Sequence, residues 1–411
     1  MGTKRGDMIS YEEARRLVFK EARTLDAEDV ALDDSFRRVL AADIRSPRAL
    51  PPFDNSAMDG YAVRSEDISG ELPAILRIAG ERPAGTARAG TVAPDECIKI
   101  MTGAPIPRGA DAVVPREDVE ESAATIAVGR PVQPGENIRS RGEDIVEGET
   151  ALPKGAILNA ACIGFLAALG IAKVSVRIRP SIGVLTTGTE IRDISEPLEP
   201  GAIYDSNSHA LRAQIASAGA VLSFLGTIGD DLDGTVAKLR EAAGTCRVIL
   251  TTGGVSMGDY DLVRDAFDRL GARRVFWKVA QKPGMPLAFS VLEGGEAPRY
   301  LFGLPGNPGA VMITFEEYVR PFLNLLSGRT EHLAPEFEAR LFQEVRKKKG
   351  RLNFLRVRLT MKDGEWWAES TGVQGSGILR TMVPADGLAL VPAEADFLPA
   401  GSKVIVHRIF W

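Results

Sequence analysis

The chain of 411 residues contains little cysteine and little histidine. The three cysteines are Cys97, Cys162 and Cys246, and the three histidines are His209, His332 and His407. Their spacing matches neither a disulfide framework nor a zinc site. So few histidines also leave no support for a Ser-His-Asp arrangement. Any metal site should therefore be built from oxygen ligands, as Mg²⁺ sites are.

Three further features are missing: an excess of positive charge, a long hydrophobic run and a Walker phosphate loop. The formal net charge is −5, which argues against a general nucleic-acid binder because such affinity rests on positive charge. The N-terminus has no apolar signal core, and the most apolar run, residues 155–172, is too short to span a bilayer. We expect a cytoplasmic protein that binds neither nucleic acid nor membrane.

Four regions differ in their pattern of hydrophobic and turn-forming residues. Residues 1–44 and 145–178 form a small helical region, in which the apolar helix near residues 159–169 should pack on the N-terminal helix. Residues 45–144 between them are an insertion of short β-like runs. Strands and helices alternate over residues 179–328, which predicts a doubly wound α/β domain with a parallel sheet. Within it, Asn207 is predicted to cap a helix that runs to about Ala218. Residues 329–411 alternate in short β pieces and fit a small β-barrel or sandwich.

Two strand ends in the α/β region carry similar Thr- and Gly-rich loops. One runs Thr187-Gly188-Thr-Glu190, and the other runs Thr251-Thr-Gly253-Gly254, followed by Ser256 and a helix from about Asp261. Glycines let a ligand approach the backbone, and a helix N-terminus favours an anion. Because ligands bind at the carboxyl ends of such strands, the pair predicts a phosphate-binding crevice.

A third turn, Leu304-Pro305-Gly306-Asn307-Pro308, is either an anion cradle or simply a well-capped helix start, and the two interpretations are about equal. Lys278 and Lys282 flank a strand end and would serve as point charges for an oxyanion, although single lysines are usually solvated.

Acidic residues also gather in loops that follow these strands, and they offer oxygen ligands for Mg²⁺ or, alternatively, helix N-caps. They are Glu190, Asp205, Asp230, Asp231, Asp259 and Asp261. In the insertion, Asp59 lies in a dense polar segment, while Arg139 and Asp144 lie in a second one. Arg139 and Arg141 there suit bidentate oxyanion binding, although a salt-bridged turn is the commoner outcome.

Six segments occur together in an order that resembles one known family. They are Pro52-Phe-Asp-Asn-Ser-Ala-Met-Asp-Gly-Tyr-Ala62, Asn137-Ile-Arg139 with Gly142-Glu-Asp144, Thr187-Gly-Thr-Glu190, Thr252-Gly-Gly-Val-Ser-Met-Gly258, Lys282-Pro-Gly284 and Leu304-Pro-Gly-Asn-Pro308. The chain resembles, over nearly its whole length, the molybdenum insertases (molybdopterin molybdenumtransferases), a family that includes a domain of gephyrin.

The resemblance implies a helical hinge domain, a β insertion, a molybdopterin-binding α/β domain, a C-terminal β-barrel and an elongated homodimer. The implied reaction inserts molybdate into adenylyl-molybdopterin, with Mg²⁺, and releases AMP and molybdenum cofactor. The dithiolene sulfurs of the pterin would supply the soft ligands for molybdenum. Transient contacts with the adenylyltransferase and with molybdoenzyme chaperones are also expected.

The resemblance further implies functional residues, carried over position by position. Catalytic roles fall on Asp59, Asp144, Asp230 and Asp261, and metal binding on Glu190, Asp230 and Asp261. Substrate binding falls on Arg139, Thr187, Gly188, Gly253, Gly254, Ser256, Lys278, Lys282, Pro305, Gly306, Asn307 and Ser376. The insertion of one subunit would face the α/β domain of the other. Met285 departs from the family, where a lysine often follows the Lys-Pro-Gly turn. The resemblance therefore does not assign the exact molybdate site.

Two other functions remain as hypotheses. A molybdopterin adenylyltransferase would need only the α/β fold, so the insertion and the barrel argue against it. A non-catalytic scaffold that holds cofactor would be expected to carry a long linker or a second fused domain, and the sequence shows neither.

Overall fold

The computed structural model describes residues 8–83, 85, 90–229, 231–254 and 262–409. Within these ranges, no helix has both the length and the apolar character needed to cross a membrane.

A six-stranded mixed sheet forms the centre of the α/β domain. In spatial order its strands are Val221–Ile228, Ser181–Thr187, Val248–Thr252, Arg299–Leu304, Pro286–Leu292 and Arg273–Lys278. The first four are parallel, as predicted, whereas the last two pair antiparallel with their neighbours. The short connection between those two strands explains the difference, because a parallel pair requires a long crossover.

Helices cover both faces of this sheet, which confirms the predicted α/β class. They are Ser206–Ser217, Leu232–Thr245, Leu262–Arg269, Pro308–Thr314 and Arg320–Leu326, the last two joined by a π-helical turn at Phe315–Val319. One core contains Leu250 and Phe302, and the core on the opposite face contains Ile249 and Leu301. Burial on both faces accounts for strands that are almost continuously apolar.

The helical region carries the helices Tyr11–Glu21 and Ala160–Ala168, the 3-10 turn Leu32–Ser35 and two small strand pairs. The pairs are Ala27–Ala31 with Lys173–Arg177, and Ile44–Arg45 with Thr150–Leu152. The predicted packing of the two helices on each other is wrong. Tyr11, Ala14 and Val18 pack into the core of the α/β domain, whereas Leu166 packs with Leu32 in a separate small core. The apolar stripe of the first helix finds a larger apolar surface there than the second helix offers.

The insertion contains a second six-stranded sheet, and a short strand pair lies beside it. The strands of the sheet are, in spatial order, Ala112–Pro115, Gly60–Val63, Glu96–Ile100, Ala74–Arg82, Thr125–Val128 and Val119–Glu121. The pair joins Asn55–Ser56 to Ile138–Arg139, and 3-10 turns occur at Ser65–Ile68 and Arg116–Asp118. The two polar segments that carry Asp59, Arg139 and Asp144 are therefore neighbours in space.

The C-terminal region is a closed five-stranded barrel, which decides between the two predicted alternatives. Around the barrel the strands are Leu352–Lys362, Glu365–Ser370, Glu336–Leu341, Lys403–Arg408 and Gly387–Val391, and the last pairs with the first. A further pair joins Val345–Arg346 to Phe397–Leu398. The strand Gln281–Lys282 of the α/β domain adds to the barrel beside Leu352 and Asn353. This pairing ties the barrel to the α/β domain.

Candidate active-site cleft

A cleft of about 1150 Å³ opens where the carboxyl ends of three adjacent parallel strands meet. Those strands end at Thr187, Thr252 and Leu304, which is where an open α/β sheet places its ligands. The structure brings ten of the sequence-predicted residues to its wall: Thr187, Gly188, Glu190, Gly253, Gly254, Lys282, Pro305, Gly306, Asn307 and Ser376. The three loops identified in the sequence therefore surround one cavity.

The central loop of the three is the one that follows Thr252, and its glycines are required by close packing. Gly253 has a φ of 82°, and a Cβ atom placed there would lie 2.5 Å from Thr187 Oγ1. That hydroxyl donates to the carbonyl of Thr252 at 3.0 Å, which locks the two strand ends together. Gly254 has a φ of 65°, and its Cβ would lie 2.7 Å from a methyl group of Val263. Only glycine fits this left-handed backbone, so the backbone itself forms the cleft floor.

The Lys282 turn is held by the buried side chains of Gln281 and Tyr318. Gln281 is fully buried, and its Nε2 donates to the carbonyl of Gly284 at 3.1 Å. The hydroxyl of Tyr318, in the π-helical turn, donates to Gln281 Oε1. With its neighbour paired to the barrel strand as well, Lys282 is presented at the junction of the two domains.

A loop from the barrel closes the far side of the cleft and carries Ser376. Asn307 occupies the N-cap position of the helix Pro308–Thr314, but its side chain makes no capping bond. Its Nδ2 instead donates to Ser376 Oγ at 3.1 Å. The loop is organised from inside by Arg356, which is 1% exposed and donates to Gln374 Oε1 and to the carbonyls of Val373, Gly375 and Ile378. Burial lowers the pKa of the Arg356 guanidinium.

Two cations, Lys282 and Arg351, line the cleft beside Met285. The Arg351 guanidinium lies 3.7 Å from the sulfur of Met285, so a positive charge stands next to the position where the sequence departs from the family. Both cations also line an adjoining groove of about 630 Å³, together with Lys347 and Lys348. The junction of the α/β domain and the barrel is therefore positively charged.

Glu190 is the carboxylate of the cleft that best fits a magnesium site. Its side chain folds over Gly188, where a Cβ atom would lie 2.7 Å from Glu190 Oε2. Among the described residues, no hydrogen bond or ion pair reaches the Glu190 carboxylate. Asp205 and Asp231 are instead helix caps, which accept from Ser208 N at 2.9 Å and from Gly234 N at 2.6 Å. The described ranges contain no group of three or more His, Cys, Asp and Glu residues able to hold a metal. A hard oxygen donor is present, and it suits Mg²⁺.

Four candidate residues are outside the described ranges, and a fifth, Lys278, does not line the cleft. Asp230, Ser256 and Asp261 fall outside the described residues, as does Asp259. Lys278 ends the edge strand of the sheet, two strands away from the one that ends at Leu304, and it does not line the cleft.

Asp59, Arg139 and Asp144 lie on the insertion and do not line the cleft of their own chain. All three are exposed. Asp59 accepts from the backbone N–H of Thr102 and from its hydroxyl, both at 2.7 Å, and these bonds hold the pKa of Asp59 below its ordinary value. Next to it, Met58 is 40% exposed. The insertion thus presents a polar face with an exposed apolar side chain within it.

Three residues of the site were missed by sequence reasoning: Asn207, Arg351 and Arg356. Asn207 was predicted to cap the helix, but the cap is Asp205, and Asn207 lines the cleft. Asp205 and Asn207, two residues apart, are both suitable caps for this helix. Since a helix needs only one cap, this was the signal that the other residue was available for another role. No local pattern marked Arg351 or Arg356, because their roles depend on how the barrel packs.

Comparison with known proteins finds relatives over nearly the whole chain. Family models described as the MoeA N-terminal region (domain I and II), a probable molybdopterin binding domain and the MoeA C-terminal region (domain IV) match residues 9–170, 183–325 and 338–409. Molybdopterin molybdenumtransferase 2 of Mycobacterium tuberculosis is 38% identical over 407 residues, 97% of this chain and 99% of its own. The molybdopterin molybdenumtransferase of Staphylococcus aureus is 33% identical, over 98% of this chain and 96% of its own. A crystal structure of the molybdopterin biosynthesis MoeA protein from Pyrococcus horikoshii superposes with a TM-score of 0.82 at 30% identity, covering 98% of this chain and 100% of that one.

Fold, cleft and matches together define the class of protein as a transferase of molybdenum cofactor biosynthesis. The chain belongs to the MoeA family. This confirms the resemblance found in the sequence and the fold class that it implied.

Proposed function

We propose that this enzyme inserts molybdate into adenylyl-molybdopterin and releases AMP and molybdenum cofactor. The observation that carries the proposal is the shared cleft, in which backbone loops from the α/β domain meet Lys282, Arg351 and Ser376 at the barrel junction. One half of the cleft suits a phosphate-linked heterocycle, and the other suits a tetrahedral oxyanion.

The chain's own groups would act by positioning and charge stabilisation rather than as nucleophiles. Lys282 and Arg351 attract molybdate and hold it beside the pterin sulfurs. The N–H groups of the loops after Thr187, Thr252 and Leu304 bind the phosphates, whose negative charge they complement. The loop that carries Ser376 limits access of water from the barrel side.

We propose that Glu190, together with Asp230 and Asp261, holds Mg²⁺. When bound, the ion supplies charge neutralisation at the scissile phosphoanhydride. The Glu190 carboxylate supports this role because it faces the cleft without a cationic partner among the described residues.

We also propose that the enzyme works as a homodimer. Asp59, Arg139 and Asp144 can reach a cleft only on a neighbouring chain, because they lie off the cleft of their own. Phe53 and Met58, 43% and 40% exposed, flank them and would be covered by such contact. Transient contacts with the adenylyltransferase and with molybdoenzyme chaperones would then use other surfaces.

The test is to mix purified protein with adenylyl-molybdopterin, Mg²⁺ and molybdate and to measure the AMP released. We expect AMP release that depends on molybdate and stops with EDTA. Glu190→Gln should lower the rate, whereas Glu199→Gln, in an exposed loop nearby, should not. The absence of AMP release alongside an active relative would contradict the proposal. Synthesis of adenylyl-molybdopterin from ATP would instead support the adenylyltransferase. Equal cofactor output from Asp261→Ala, which removes a predicted catalytic carboxylate, would support a scaffold.

A further inference from the structure

Asn207 lines the cleft and carries a side-chain acceptor that the described residues leave unsatisfied. The residue is 8% exposed and lines the cleft near the N-terminus of the helix Ser206–Ser217. Its Nδ2 donates to the carbonyl of Gly306 at 2.8 Å. Its Oδ1 is buried and has no hydrogen-bond partner among the described residues.

The orientation of this amide follows from its neighbour. A backbone carbonyl only accepts, so the group that faces Gly306 must be the NH₂, and the oxygen must face the other way. Gly306 itself sits against the central loop, since a Cβ placed on it would lie 3.5 Å from the Cα of Gly253. The free oxygen is thus fixed on the side of the amide that faces away from Gly306, buried in the cleft wall that Asn207 lines.

The wall next to Asn207 suits a flat ring. Ile203 and Tyr204 line the same cleft and are 55% and 43% exposed. An aromatic side chain at a cleft edge stacks on a planar heterocycle whatever substituents the ring carries. A buried carbonyl oxygen without a partner selects for a donor, because leaving it unpaired in the complex is unfavourable.

We propose that Asn207 is a specificity-determining residue whose Oδ1 accepts a hydrogen bond from an exocyclic amine of the substrate's heterocycle. The inference rests on the proposed function, which places two amine-bearing rings, a pterin and an adenine, in this cleft. The shared chemistry is an amine on a planar nitrogen heterocycle, and Asn207 rejects rings that carry a carbonyl at that position.

The experiment uses calorimetric titration of the full-length protein with two matched ligand pairs. AMP is compared with IMP, which has a carbonyl in place of the 6-amine. Pterin is compared with lumazine, which has a carbonyl in place of the 2-amine. We expect the amine-bearing member of one pair to bind about tenfold more tightly, as one buried hydrogen bond provides. The pair that discriminates identifies the ring that Asn207 contacts.

Asn207→Ala should reduce that ratio to about one. Gln214→Ala is the matched control, because Gln214 is a buried amide on the same helix that does not line the cleft. It should keep the wild-type ratio. The ratio is insensitive to a general loss of affinity. Asn207→Ser, with a shorter polar side chain, takes the place of the alanine variant if that variant does not fold.

Ligands that bind with equal affinity within both pairs would overturn the role of Asn207 while leaving the proposed function intact. A ratio unchanged in folded Asn207→Ala would overturn it as well. The absence of binding by all four ligands to the wild-type protein would overturn both the inference and the proposed function.

Discussion

Replacement of Arg356 by methionine should detach the barrel loop that carries Ser376 from the cleft. The guanidinium is buried without a carboxylate partner and is satisfied instead by four oxygens of residues 373–378. Methionine fills a similar length of space but donates no hydrogen bond. Three backbone carbonyls of the loop would lose their donor.

The magnitude follows from the bonds that are removed. Four hydrogen bonds from a charged donor contribute about 1.5–3 kcal/mol each, or about 6–12 kcal/mol together. Burying the guanidinium opposes this by several kcal/mol, which methionine does not incur. The loss should therefore be about 3–5 kcal/mol, concentrated in the loop rather than spread over the protein.

Hydrogen exchange measured by mass spectrometry reports the loss of stability in this loop directly. In Arg356→Met, we expect amides of residues 371–378 to lose protection and AMP release to fall with the loss of the Ser376 contact. Arg356→Lys should recover part of both, since an ammonium keeps the charge and reaches fewer acceptors. The matched control is Arg358→Met, an exposed arginine on the same strand, which should change neither. Wild-type protection of the loop in Arg356→Met would refute the reasoning.

Three further predictions concern the cleft and the domain junction. Gly253→Ala introduces left-handed strain of about 1–2 kcal/mol and a clash with Thr187, so nucleotide affinity measured by calorimetry should fall about tenfold or more while the circular dichroism spectrum stays unchanged. Lys282→Met should weaken molybdate about 10- to 100-fold, seen as a higher molybdate concentration for half-maximal AMP release, and an unchanged concentration would contradict an anion contact. Burial would raise the pKa of Glu317, but its hydrogen bond and charge interaction with His407 hold that pKa below the ordinary 4.5. A carboxyl whose pKa is lower in the folded state stabilises the fold at pH values above its unfolded pKa, and this stabilisation is lost as the pH falls through its folded pKa. Between neutral pH and pH ~3, the thermal midpoint should therefore fall more steeply in wild type than in Glu317→Gln.

Much of the fold could be predicted from local patterns in the chain. The apolar runs that end in Thr and Gly predicted the strands around Leu185 and Leu250, and their alternation with helices predicted an α/β domain. The two antiparallel strands at the sheet edge could not be distinguished from parallel strands in the sequence, since Phe276 and Phe289 are as apolar as residues of the parallel strands. The partner of the first helix was also wrong, because an apolar stripe does not specify which apolar surface covers it.

The candidate site, like the fold, could be predicted only in part from the sequence. Loops at the ends of neighbouring parallel strands must share one edge, so Thr187, Gly253 and Gly306 could be placed together from the sequence. Arg351 could not, because it belongs to a barrel whose position depends on the strand at Lys282. Asn207 was interpreted as a cap because capping is a local preference, whereas its role in the cleft depends on the distant Gly306.

The sequence by itself determined the family, the α/β class and the backbone loops of the cleft, because these depend on short segments and on the direction of parallel strands. Only the tertiary structure decided which charges face the cleft, which helix packs on which core and which polar atoms lack a partner. These properties arise from contacts between residues far apart in the chain. The buried Arg356 and the unsatisfied oxygen of Asn207 are properties of packing and have no local signature.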